Sequence, residues 1–188
     1  GEGKTTTSLC LAKAMALAGQ TVLVIDCDLR RRSVDRVLGL DAKKGLLDVL
    51  SGESRLEDVV VHDPLPGVDY LPLANGVTPP KDVFGSVAMD MLLDHVRTQY
   101  DIIILDTAPV IPVVDTRILL RKADVAVLLV KWRQTPRRAV QSAIDLLPDV
   151  GATVGGVVLT KVDIKAQAKY GYGDSMYYFN QYKEYYAK

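Results

Sequence analysis

Cysteine and histidine are scarce in this 188-residue chain, which holds two of each. Cys10 and Cys27 show neither CxxC nor metal-ligand spacing, so neither a disulfide framework nor a cysteine metal site organises the fold. They read as reduced thiols of a cytosolic protein. His62 and His95 each stand alone, which favours surface or packing roles over catalysis. A surplus of charge is also missing, since 23 basic residues balance 23 acidic ones. Proteins that grip a nucleic-acid backbone usually carry a basic surplus, so no nucleic-acid partner is expected. No apolar run reaches the roughly 20 residues needed to span a bilayer, and no signal peptide is read.

What is present is a hydrophobic content of 48%, enough for one domain with a full core. Residues 5–18 are rich in Ala and Leu and stop at Gly19, which predicts a helix. Residues 21–26 (TVLVID) form a continuous apolar run, the pattern of a strand covered on both faces. Residues 101–106, 124–130 and 154–160 repeat it, and 68–73 is a weaker instance. Helical patterns fall at about 45–51, 86–98, 114–121 and 136–147, with loops at 64–67 and 76–80. Strand alternating with helix predicts an α/β three-layer sandwich with a mostly parallel sheet. Ligands of such a sheet bind beyond the carboxyl ends of its strands.

The chain opens on Gly1-Glu2-Gly3-Lys4-Thr5, the second half of a phosphate-binding Walker A loop. Small residues let backbone amides curl around phosphates, and the following helix adds its positive N-terminal end. Lys4 is placed to neutralise phosphate oxygens and the Thr5 hydroxyl to hold Mg²⁺, with Thr6 beside them. Such loops follow a strand, so a first strand is expected ahead of residue 1. Two strands end in acids, giving Asp26 and Asp28 after the first and Asp106 after the second. Carboxylates at these strand ends, beside a phosphate loop, suit Mg²⁺ binding and activation of a nucleophile. Basic clusters at 30–36 and 131–138 read as solvated surface, apart from Arg30, which follows Asp28 at the phosphate edge. Thr160 to Asp163 approaches a guanine-reading motif, or is a polar turn after a buried strand.

The other end of the chain is unusual. Tyr170, Tyr172, Tyr177, Tyr178, Tyr182, Tyr185 and Tyr186 crowd the last nineteen residues, with no period of 2 or 3.6. Such a segment is poor core material but offers many phenolic hydroxyls on a flexible leash. The division expected is a domain over 1–163 and a tyrosine-rich tail over 164–188.

With these motifs in hand, the chain resembles the bacterial tyrosine kinases of the deviant-Walker P-loop class, which also holds the septum-placing and partitioning ATPases. VLVIDCDLRR (22–31) is similar to that family's acidic strand leading into DxDxR. DIIILDTAPVIPVVD (101–115) is similar to its Walker B strand and the turn after it. Residues 79–96 sit where members carry a PPNPxELL-like stretch, and the tyrosine tail follows. Ala108 stands where many members have proline, and Lys81-Asp82 replaces Asn-Pro.

The resemblance implies an autokinase that uses Mg·ATP to phosphorylate tyrosines in the tails of neighbouring subunits, and so regulates the chain length and export of exopolysaccharide or capsule. It implies nucleotide contacts from Gly1, Glu2, Gly3, Lys4, Thr5, Thr6 and Arg30. It assigns Lys4, Asp26, Asp28 and Asp106 to catalysis, with Mg²⁺ held by Thr5, Asp28 and Asp106. Asp26 would be the base or a second acidic ligand, and Asp115 lies near the γ-phosphate. A homo-oligomer, a ring in the complete protein, is implied at the cytoplasmic face of the bacterial inner membrane. Its membrane-anchored activator segment is either fused or separate. The competing readings are a non-kinase partitioning-type ATPase switch, a signal-recognition-type GTPase, and a tail that only docks a partner. The GTPases carry DTAGR where this chain has Asp106-Thr107-Ala108-Pro109-Val110.

Overall fold

A computed structural model describes residues 1–73 and 82–168 of the chain. The tyrosine cluster at 170–186 and the whole loop at 76–80 therefore lie outside the described residues. The chain opens with helix α1 (Lys4–Leu17), followed by strand β1 (Val22–Cys27) and the short helices α2 (Ser33–Leu38) and α3 (Leu46–Leu50). A single 3-10 turn, Leu56–Asp58, leads to β2 (Val61–His62) and β3 (Val68–Leu71). Then come α4 (Val87–Val96), β4 (Ile102–Thr107), α5 (Val114–Leu120), β5 (Ala126–Lys131), α6 (Arg137–Asp149), β6 (Val154–Thr160) and α7 (Ile164–Ala168).

The four-stranded sheet has the order β2-β3-β1-β4, with β1 parallel to both β3 and β4 and β2 antiparallel to β3. Every residue of β1 is buried, as its unbroken apolar run predicts for a central strand. Alternation along β1 then sorts its side chains between two faces. Leu23, Ile25 and Cys27 join a core with Leu46, Phe84, Met89 and Leu92. Val22 and Val24 instead pack with Leu9 and Ala12 of α1. The sheet thus lies between α1 on one side and the α3–α4 layer on the other, which is the three-layer α/β arrangement.

Three features depart from the expected pattern. Among the described residues, β5 and β6 form a separate parallel pair, while β4 is hydrogen-bonded only to β1. Within the basic run 30–36, residues Ser33, Val34 and Asp35 are buried as the start of α2, although Arg31 and Arg36 are exposed as expected, and Arg30, read as a phosphate-edge residue, is exposed too. Arg133, Arg137 and Arg138 of the second basic cluster are exposed too. Residues 164–168, read as the beginning of the tail, form α7. The chain's other two tyrosines are structural. Tyr70 donates to Asp63 at 2.6 Å and Tyr100 to Asp69 at 2.7 Å. Burial and the neighbouring carboxylate push both phenol pKa values well above the ordinary range.

Candidate functional site

Register brings the acids together. β1 and β4 run in parallel with Val22 opposite Ile102, so four steps on Asp26 stands opposite Asp106. Period 2 places Asp26 on the side of Val22 and Val24, and Asp106 on the side of Ile102 and Ile104, all of which face α1. The phosphate-loop helix therefore covers both carboxylates. Gly3 precedes it with φ +90°, a left-handed conformation natural to glycine, and this turns the chain into α1.

The α1 side of the site is built from two hydroxyls one turn apart. Thr5 Oγ1 donates to Asp106 Oδ2 at 2.6 Å, and Ser8 Oγ donates to Asp106 Oδ1 at 3.1 Å. Ser8 was not singled out from the sequence. Its position three residues after Thr5, on the same helix face, was the available signal. Burial raises the pKa of Asp106; the Thr5 and Ser8 hydroxyls and the Lys4 charge oppose that rise, and Asp28 adds to it. Lys4 itself is half-buried at the mouth of the loop, 3.9 Å from Glu2.

Asp26 and Asp28 occupy different surroundings despite their spacing. Asp26 is fully buried, and both of its oxygens accept backbone amides: Oδ1 from Asp28 at 3.0 Å and Oδ2 from Val34 at 2.9 Å. Burial outweighs those bonds, and with Asp106 and Asp35 nearby its pKa is pushed up to about 7. Asp28 lies beyond the strand in the loop, where its Oδ1 accepts the Arg30 N–H at 3.2 Å. Asp26 latches the turn that carries Asp28.

The remaining candidates spread around this centre. Gly1, Thr6 and the Arg30 side chain are exposed, and Glu2 is partly buried. Asp115 sits in the first turn of α5. That helix ties down the turn after β4: Thr116 donates to the Ala108 carbonyl at 3.0 Å, and Arg117 to the Val110 and Ile111 carbonyls at 3.3 and 2.7 Å. Asp163 caps α7, accepting the Ala166 N–H at 3.0 Å. Thr160 donates to the main-chain carbonyl of Glu2 at 2.5 Å, which joins the end of β6 to the phosphate loop.

This geometry agrees with what the chain is similar to. Residues 1–154 match the model of an AAA domain. Tyrosine-protein kinase YwqD of Bacillus subtilis is 32% identical over 174 residues, a match covering 92% of this chain and 73% of that protein. The chain belongs to the bacterial tyrosine kinases. The VpsO kinase domain, solved by crystallography, shares the fold of this tyrosine kinase with a TM-score of 0.81 and 33% identity, over 87% of this chain and 80% of that one. The succinoglycan biosynthesis transport protein ExoP of Rhizobium meliloti is 28% identical over 192 residues, covering all of this chain and 24% of ExoP. The chain spans about a quarter of the length of such longer curated relatives. Among the described residues of the kinase, no helix is long and apolar enough to cross a membrane.

Proposed function

We propose that the complete protein transfers the γ-phosphoryl group of ATP to tyrosine hydroxyls, and that Tyr170, Tyr172, Tyr177, Tyr178, Tyr182, Tyr185 and Tyr186 are the acceptors. The observation that carries this reading is the hydroxyl–carboxylate cluster of Thr5, Ser8 and Asp106, with Lys4 and Asp28 beside it at the start of α1. Phosphoryl transfer asks the protein for positioning and charge stabilisation rather than covalent chemistry, and this cluster offers both. Gly1 to Thr6 and Arg30 would surround the phosphates, and Lys4 would neutralise their oxygens.

The donor set fits Mg²⁺. Thr5, Asp28 and Asp106 present hard oxygen atoms, and no group of three acidic, His or Cys side chains that could hold a metal is found among the described residues. They would bind the ion in the way Mg²⁺ prefers, through one or two carboxylates together with phosphate oxygens and water. When bound, the ion offsets the charge spread over the γ-phosphoryl oxygens. Asp26, with both oxygens taken by backbone amides, has the role of holding the Asp28 turn in place.

The acceptor is a phenol with an ordinary pKa of about 10, so its proton must pass to a nearby carboxylate as the bond to phosphorus forms. A tail on a neighbouring subunit raises the local acceptor concentration to the millimolar range. Each phosphotyrosine adds roughly −1.5 to −2 charges, which would drive a modified tail away from the acidic site. The succinoglycan biosynthesis and transport named for ExoP support a role in polysaccharide production, which this protein would carry out at the cytoplasmic face of the inner membrane. A membrane-anchored activator, fused or separate, and a ring of subunits would complete the system. The test is to incubate the complete protein with Mg·ATP and its membrane activator, then map phosphate by mass spectrometry. Phosphotyrosine within 170–186, absent in Lys4→Met, is expected. Its absence from the wild-type protein would sink the reading.

A further inference from the structure

The turn after β6 touches the phosphate loop at two points. Thr160 ends β6, and its hydroxyl donates to the Glu2 carbonyl at 2.5 Å, with the Val130 carbonyl 3.3 Å away as a second acceptor. Thr160 is held firmly, because it pairs with Lys131 across the ladder and its own carbonyl takes the Trp132 N–H at 3.0 Å. Lys161 follows with φ +54°, a conformation L-residues rarely adopt. Its side chain lies over the loop, where a Cβ built on Gly3 would be 3.7 Å from Lys161 Cε.

Strand pairing and helix capping explain neither contact. Asp163 is accounted for as the cap of α7, but that cap requires nothing of Thr160 or Lys161. The consequence lies in the peptide between Glu2 and Gly3. In a trans peptide the carbonyl and the following N–H point in opposite directions. Fixing the Glu2 carbonyl toward Thr160 therefore aims the Gly3 N–H away from β6, and keeps a carbonyl oxygen from facing a phosphate. A loop free to flip that peptide would present an acceptor where an anion needs a donor.

The geometry points to Thr160 and Lys161 as a brace that sets the Glu2–Gly3 peptide for nucleotide phosphate. Thr160 acts through the loop's backbone, and the Lys161 stem covers the glycine that must stay in its left-handed conformation. Both are positioning residues. The inference rests on the reading of residues 1–5 as a nucleotide-phosphate site, and it gives the Thr160–Asp163 motif a role other than reading a base.

Thr160→Val in the complete protein keeps the shape and removes the donor. Losing one hydrogen bond that orders the loop should raise the KM for Mg·ATP about tenfold, and the Kd for Mg·ADP in isothermal titration calorimetry equally. With substrate and transition state affected alike, kcat at saturating ATP should stay within about twofold. Thr160→Ser should restore both constants. Lys161→Gly relieves the left-handed backbone, so the melting temperature without nucleotide should hold or rise while the Kd for Mg·ADP rises severalfold. A Thr160→Val protein with unchanged Kd, a fall in kcat at constant KM, or a serine variant as weak as valine would each overturn the inference. Wild-type protein that bound no Mg·ADP would instead overturn the phosphate-loop reading, and the brace with it.

Discussion

Replacing Asp26 with alanine would strip two buried backbone amides, those of Asp28 and Val34, of their acceptor. An unsatisfied buried donor costs about 1–3 kcal/mol. Part of this is offset, because the variant no longer has to bury a carboxylate whose pKa is already raised by burial. A net loss of about 2–4 kcal/mol follows, which in a domain of this size lowers Tm by roughly 5–15 °C. Asp26→Asn separates the latch from chemistry, since it keeps one oxygen for an amide and cannot take a proton. Differential scanning calorimetry of the nucleotide-free protein should place the asparagine variant between alanine and wild type. Phosphotyrosine formation, assayed well below each melting point, should stay within about tenfold of wild type for Asp26→Asn. A general base would instead contribute a factor of about 10²–10⁴. An asparagine variant with nearly wild-type Tm and activity down a hundredfold or more would refute the latch and return Asp26 to the chemistry.

The metal-free protein should also lose stability as pH rises. Asp26, Asp35 and Asp106 all have raised pKa values, caused first by burial. Groups raised on folding stabilise fully below their unfolded pKa and lose that contribution as pH climbs through the folded one. For Asp26 this window runs from the ordinary carboxylate range to about 7, so Tm should fall between pH 5 and 8, and less steeply in Asp26→Asn; a rising Tm would contradict it. Ser8→Ala removes one donor to Asp106 and leaves Thr5, so kcat should drop several-fold with Tm lowered by only a few degrees; unchanged kinetics would remove Ser8 from the site. Tyr70→Phe leaves Asp63 with Lys13 and the Leu65 amide as partners, so a loss of about 1 kcal/mol is expected in urea unfolding, with phosphotyrosine yield unchanged.

Much of this fold was legible because apolar runs and Gly stops report local physics. The central burial of β1, the α1 helix behind the phosphate loop, and acids at the ends of β1 and β4 all follow from residues 1–28 and 101–106. Less legible was whatever depended on distant chain segments. Two residues suffice for β2, too few for any periodic signal. α2 hides within an arginine-rich stretch and has no side-chain cap at its start. The latch role of Asp26 depends on an amide eight residues away, and the hydroxyl of Thr160 meets a carbonyl 158 residues before it. Ser8 is marked only by its spacing from Thr5, a faint signal for a serine inside an Ala-rich helix.

The two tyrosines of the folded domain have a consequence for selectivity. On the proposed function, an enzyme acting on phenols at high local concentration would itself be built with phenols. Tyr70 and Tyr100 are kept out of that pool by their own neighbours, since Asp63 and Asp69 occupy their hydroxyl protons and burial holds those protons on. Either hydroxyl would have to abandon its aspartate before it could attack phosphorus. If the complete protein modifies its tail tyrosines as proposed, folding alone would set these two bystanders apart from the acceptors, with no sequence code needed.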